Sequence, residues 1–176
     1  TSRRKTNVTR WKGFNMSDDC SLCGPMKHEA GRTTGDDFKL MTDWGFDFVR
    51  ITMAYHRYLV FERTKDITKD ELYKTDPKVL DEIDQLIFNA HKYGLHVSLN
   101  LHRAPGYCIN AGFHEPYNLW KDKDAQEAFN FHWGMWAERY KNIYYEKLSF
   151  TMLKQPAFLE DRNDQFEQDR KRGVEG

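Results

Sequence analysis

The 176-residue chain predicts an α/β fold built on parallel strands, and three observations predict it. Short β-branched and aromatic runs alternate, four times over, with longer segments whose apolar residues recur at three- and four-residue steps. The strand runs are nearly continuous in apolar character, as strands buried on both faces are. The irregular segments rich in Gly, Pro and aromatic residues all follow the C-terminal ends of strands, where α/β folds bind ligands.

The first strand is expected over 9–16, within VTRWKGFNM, and a polar, Gly-rich loop follows it. In DDFKLMTDWG, Phe38, Leu40, Met41 and Trp44 share a helical face, with Asp36 or Asp37 as N-cap and Gly45 as the stop. The aromatic and β-branched run FDFVRITM reads as a second strand ending near Thr52, before a polar, irregular segment that reaches Thr75. From Asp76, a helix is marked by Pro77 at its first position, by Val79, Leu80, Ile83, Leu86, Ile87 and Ala90 on one face, and by Gly94 behind it. LHVSLNLH is a third strand over 95–101, followed by the turn-rich RAPGYCINAGFHEPYN. The third helix carries Ala125, Ala128, Phe129, His132, Trp133, Trp136 and Tyr140 on its stripe and leads into a fourth strand, KLSFTMLK. After Pro156 charge dominates, so the folded domain is expected over 1–160, with a polar tail over 161–176.

Lys plus Arg and Asp plus Glu number 27 each, which advertises no basic face for a nucleic acid. No apolar run is long enough to span a membrane, and Thr1 to Arg10 are too polar for a signal peptide. Cys20, Cys23 and Cys108 are expected to be reduced thiols. Cys20 and Cys23 form a CxxC with His28 nearby, but a structural zinc wants four ligands and no second pair follows, so neither metal nor cofactor is expected. Aromatic residues make up 15% of the chain, a composition that suits flat ligands such as sugar rings.

The segments WKGFNM, MTDWGFDFVRITM, LDEIDQLIFNAHKYGLHVSLNLHRAPGY and AERYKN followed by LSFTML resemble the first four β/α units of glycoside hydrolase family 5, the cellulase family of TIM barrels. The resemblance runs from about Arg10 to Pro156 and implies a half barrel, four of eight (β/α) units. It implies that Arg50 fills the position of a strand-end arginine that hydrogen-bonds the nucleophile carboxylate. It likewise implies that His102 lines the sugar subsite beside the scissile bond. The family's fourth strand ends in Asn-Glu-Pro, its Glu being the general acid/base; here those positions hold Lys154, Gln155 and Pro156. Tyr107 and Trp120, in loops after the third strand, are the candidates for stacking on sugar. Asn15 and Lys154 stand beside them as substrate-binding candidates.

Retaining glycosidases need two carboxyl groups roughly 5–5.5 Å apart, and an amide at Gln155 has no proton to give. The family's nucleophile lies on a seventh strand, beyond the four read here. The expected function is therefore a truncated, cellulase-like half barrel with little or no hydrolysis of β-1,4-glucan. Two alternatives remain open: activity recovered in an oligomer through Glu62, Glu115 or Glu160, or a carbohydrate-binding protein using Arg50, His102, Tyr107 and Trp120. An open sheet with an apolar face would require covering, so a homo-oligomer is expected. The family is often secreted. Trp44, Trp133 and Trp136 read as core residues, Glu115 as a solvated loop carboxylate, and His28, His91, His96 and His132 as surface or helix-packing residues.

Overall fold

The computed structural model describes residues 10–16, 33–108 and 114–153. Its elements are β1 (Gly13–Met16), α1 (Gly35–Asp43), β2 (Phe48–Ala54), α2 (Pro77–Lys92), β3 (His96–Ala104), β4 (Tyr107–Cys108), α3 (Lys123–Arg139) and β5 (Leu148–Thr151). β1, β2 and β3 pair in parallel, in that order. β5 runs parallel to the first half of β3, opposite Val97 to Asn100. The fifth strand, absent from the sequence reading, is the two-residue β4, which folds back antiparallel on the end of β3.

The helices form where their caps and stripes dictate. α1 starts earlier than Asp36, with Thr34 as its N-cap and the Asp37 carboxylate accepting from Thr34 N at 2.7 Å. Phe38 and Met41 are buried, but Trp44 is 65% exposed and Leu40 is exposed too. Trp44 falls on the C-cap, beyond the last helical turn, so its ring leaves the buried stripe instead of joining the core. α2 follows its expected cap, with Lys78 N donating to Asp76 Oδ1 at 3.0 Å and Pro77 in the first turn. It buries Leu80, Ile83, Ile87 and Ala90, the larger of these worth roughly 1.5–3 kcal/mol each relative to exposure.

The sheet has two unlike faces. Val49, Ile51 and Met53 of β2 and Val97, Leu99 and Leu101 of β3 join one core with Phe38, Met41, Ile83, Ile87 and Trp136 of the helices. The residues between them point the other way and are mostly polar. Register places Asn15, Arg50, Ser98 and Ser149 in one row across β1, β2, β3 and β5, and Thr52, Asn100 and Thr151 in the next. These side chains bond across the strands: Thr52 Oγ1 donates to Met16 O at 2.8 Å, Asn100 Nδ2 to Thr151 O at 3.0 Å, and the Ser98 and Thr151 hydroxyls pair at 3.1 Å. His96 bonds Ser149 Oγ through Nε2 at 2.8 Å and stacks beneath Trp11 at 4.4 Å. The strands are thus apolar on one face only. Residue-by-residue alternation in FVRITM and HVSLNLH produces this, since neighbouring residues of a strand point to opposite sides.

Between β2 and α2 the chain is less polar in its packing than in its composition. Two short 3-10 turns, Tyr55–Tyr58 and Glu71–Tyr73, bury Tyr55, Tyr58 and Leu72, and Ile67 is buried between them. His132, at 0% exposure on α3, ties both turns together: its Nε2–H donates to Leu72 O at 2.9 Å and its Nδ1 lies 2.9 Å from Tyr58 Oη. A carbonyl can only accept, so Nε2 carries the proton and Nδ1 receives the Tyr58 hydroxyl.

Candidate active site

Arg50 is the third residue of β2, mid-strand and half-buried, with Asn15 opposite it on β1 and Ser98 opposite it on β3. Strand pairing therefore brings two of the expected site residues, Asn15 and Arg50, side by side. The Arg50 Nε is buried and bonds nothing among the described residues, and the same holds for Oδ1 of the fully buried Asn100 one row further along. A buried polar atom left unpaired costs about 1–3 kcal/mol. Two such atoms on the polar face, beside the paired side chains of Thr52, Ser98, Ser149 and Thr151, mark where an acceptor and a donor from outside these strands belong.

His102 lies on β3 two residues before its end and is half-buried. The register there steps from Met53 opposite Leu101 to Ala54 opposite Arg103, so His102 is the extra residue of a bulge. Bulges re-aim a side chain next to a site. Beyond it, the turn through Pro105 and Gly106 opens the hairpin to β4. Tyr107, on β4, is 3% exposed and belongs to the core. Its ring meets the edge of Trp120 at 6.5 Å, and Trp120 is 38% exposed. Trp120 thus offers a ring to solvent, and Tyr107 backs it from below.

Glu115 is where the structure departs furthest from the sequence reading. Far from being solvated, its carboxyl is half-buried, with Tyr55 Oη 3.1 Å from both oxygens and Gly106 N donating to Oε1 at 3.2 Å. Loss of solvent pushes its pKa up to about 7, against the opposite pull of those hydrogen bonds. No local pattern announces this, because the hydroxyl that holds Glu115 lies 60 residues upstream. His56, next to Tyr55 with its ring tilted against it at 3.7 Å between centroids, is drawn down to about 3 by burial first and then by the charges of Arg103 and Arg63.

Other candidates fall elsewhere. Glu62 is exposed and pairs with Lys65 at 2.7 Å. Cys108 is buried. Gln155, Lys154, Glu160, Cys20, Cys23 and His28 lie outside the described residues. Among the described residues no cluster of His, Cys, Asp or Glu could hold a metal ion, and no helix is long and apolar enough to cross a membrane.

Comparison with known proteins gives these strands a context. The cellulase model, glycosyl hydrolase family 5, matches residues 2–152. Cellodextrinase A of Ruminococcus flavefaciens is 28% identical over 144 residues, which cover 78% of this chain and 39% of that protein. Endoglucanase C of Acetivibrio thermocellus is 30% identical over 120 residues, 68% of this chain and 32% of its own length. A crystal structure of a glycoside hydrolase superposes with a TM-score of 0.70 at 30% identity, covering 95% of this chain and 48% of that one. Thermotoga maritima Cel5A, solved with cellobiose, shares the fold at a TM-score of 0.56 and 24% identity. The chain spans about a third to two fifths of the length of these curated relatives and about half that of the solved glycoside hydrolase. With a family model matched over most of its length and a half-barrel arrangement of parallel strands and helices to support it, this chain belongs to the glycosyl hydrolase family 5 cellulases.

Proposed function

We propose that the described residues form the β-glucan-contacting N-terminal half of a cellulase-type site, with binding of cello-oligosaccharides as the function retained. The observation that carries this reading is the polar row of Asn15, Arg50 and Ser98, in which the buried Arg50 Nε bonds nothing among the described residues. In this reading Arg50 serves a carboxylate or sugar hydroxyl, His102 lines the adjoining subsite, and Trp120 stacks on a ring. Asn15 and Lys154 add polar contacts. Endoglucanase and cellodextrinase activity in the relatives supports a β-1,4-glucan as the ligand. Gln155 stands where the acid/base Glu is expected, and without that acid a loss of roughly 10²–10⁴ in rate follows. Hydrolysis by this chain is accordingly slow or absent.

Calorimetric titration with cellotetraose, alongside a reducing-sugar assay on carboxymethylcellulose, tests the reading. Saturable binding with turnover near the buffer blank is the expected pair of results; absence of binding would sink it. Trp120→Ala should weaken binding by about three- to tenfold, the value of one aromatic stacking contact of ~0.5–1.5 kcal/mol.

The partner that fits the open half barrel in this reading is a second copy. The expected apolar sheet face is polar instead, so the drive to associate lies at the two flanks. Trp11 and Phe14 are exposed at β1, Leu40 and Trp44 on α1 and its C-cap, and Tyr144, Tyr145, Phe150 and Met152 at or beside β5. Light scattering after gel filtration should return twice the chain mass, and a compact monomer at micromolar concentration would remove this part of the proposal.

A further inference from the structure

We propose that Glu115 is a positioning residue for the sugar-binding surface, a clamp that fixes the turn after β2 to the turn after β3 and thereby sets the Trp120 ring. The inference rests on the reading of Trp120 as a stacking platform.

The geometry supports each link. Tyr55 begins the 3-10 turn directly after β2, is fully buried, and presents its hydroxyl between the two Glu115 oxygens. Gly106 sits in the turn directly after β3 and donates its N–H to the same carboxyl. Gly106 in turn accepts from Leu119 N at 2.8 Å, and the next residue is Trp120. Trp120 is braced from its own side as well, its N–H donating to Asn118 Oδ1 at 2.9 Å and its ring meeting Tyr107. One carboxyl therefore joins the C-terminal ends of two neighbouring strands to the loop that carries the exposed ring. Removing it takes the Glu115 acceptor away from the Tyr55 hydroxyl and the Gly106 N–H, and releases the hairpin turn from Tyr55.

A carboxyl used this way acts through hydrogen bonds and needs no negative charge, and the raised pKa of Glu115 is consistent with that. A glutamine should therefore substitute. Its carbonyl oxygen can accept from Gly106 N, and its amide can donate to Tyr55 Oη.

The test uses the full chain with Glu115→Ala, Glu115→Gln and Tyr55→Phe. Glu115→Ala should weaken cellotetraose binding by about threefold or more, up to the roughly tenfold that loss of the Trp120 ring itself costs. Glu115→Gln should stay within about twofold of the unaltered chain, and Tyr55→Phe should fall between. Amide hydrogen exchange at Gly106 and Leu119 supplies a ligand-free readout: about tenfold faster in Glu115→Ala and unchanged in Glu115→Gln. Equal behaviour of the Ala and Gln variants, or unaltered exchange in Glu115→Ala, overturns the clamp. If no variant and no unaltered protein binds cellotetraose while exchange responds as stated, the sugar-binding reading fails and the clamp between the two turns stands. Should Glu115→Ala fail to fold, Tyr55→Phe with exchange as fast as in the unaltered chain overturns it.

Discussion

Lowering the pH from 7 to 5 should destabilise the fold well before ordinary carboxylates titrate. His132 and His56 are buried neutral, with pKa values drawn down to about 4 and about 3, chiefly by loss of solvent. In the unfolded chain both imidazoles titrate near 6.5. Their contribution is fully present above that value and is lost as pH falls toward the folded pKa, because the unfolded state takes up protons the folded state refuses. For His132 the shift amounts to on the order of 3 kcal/mol at the acid end. Glu115 works in the opposite sense. Its folded pKa of about 7 means that its contribution is present below about 4.5 and is lost as pH rises through 7. Between pH 5 and 6.5 the two imidazoles outweigh the one carboxyl, so stability should rise with pH by about 1 kcal/mol per unit. Urea unfolding curves at half-unit intervals measure this slope. Glu115→Gln should steepen it, and His132→Gln should flatten it. A stability constant from pH 7 to 5 would show that these imidazoles are not held neutral.

Gly106→Ala should damage the turn that seats the Trp120 loop. Gly106 has φ +76°, where a side chain costs about 1–2 kcal/mol. A Cβ there would also lie 2.5 Å from Leu119 N and 2.8 Å from Ala125 Cβ. Leu119 N is the donor to Gly106 O, so the added carbon pushes apart the contact that seats the Trp120 loop. Overpacking of this kind costs about 1–3 kcal/mol more. The expected loss is therefore roughly 2–5 kcal/mol in urea unfolding, with cellotetraose affinity reduced alongside it. Gly134→Ala is the contrast. On α3 a Cβ at Gly134 meets nothing within 4 Å, and the change should stabilise by up to about 1 kcal/mol. Equal effects at the two glycines would mean that the turn at Gly106 is not built as described.

Much of the fold was legible because its signals are local. Asp76 and Pro77 at the start of α2 and the spacing of Leu80, Ile83, Ile87 and Ala90 act through one helix. The polar sheet face was also written in the chain, in the alternation of Val49, Arg50, Ile51, Thr52 and Met53, although aromatic and β-branched content makes that run look apolar throughout. Trp44 shows the opposite difficulty: its spacing matches the stripe, but the helix ends before it. β4 escaped because two residues make no periodic pattern, and only the hairpin at Pro105 and Gly106 pairs them with β3.

The site divides along the same line. Sequence alone determined the order of β/α units, the family, and the candidacy of Arg50, His102 and Trp120, all carried by short contiguous motifs. Only the tertiary structure decided that Arg50 sits beside Asn15 with its Nε unpaired among the described residues, that Tyr107 is a buried backing, and that Glu115 is held by Tyr55 and Gly106. Burial and pairing depend on which distant residues meet. A carboxyl's solvation is set by the hydroxyl and amide the fold brings to it, and the residues flanking Glu115 carry no trace of either.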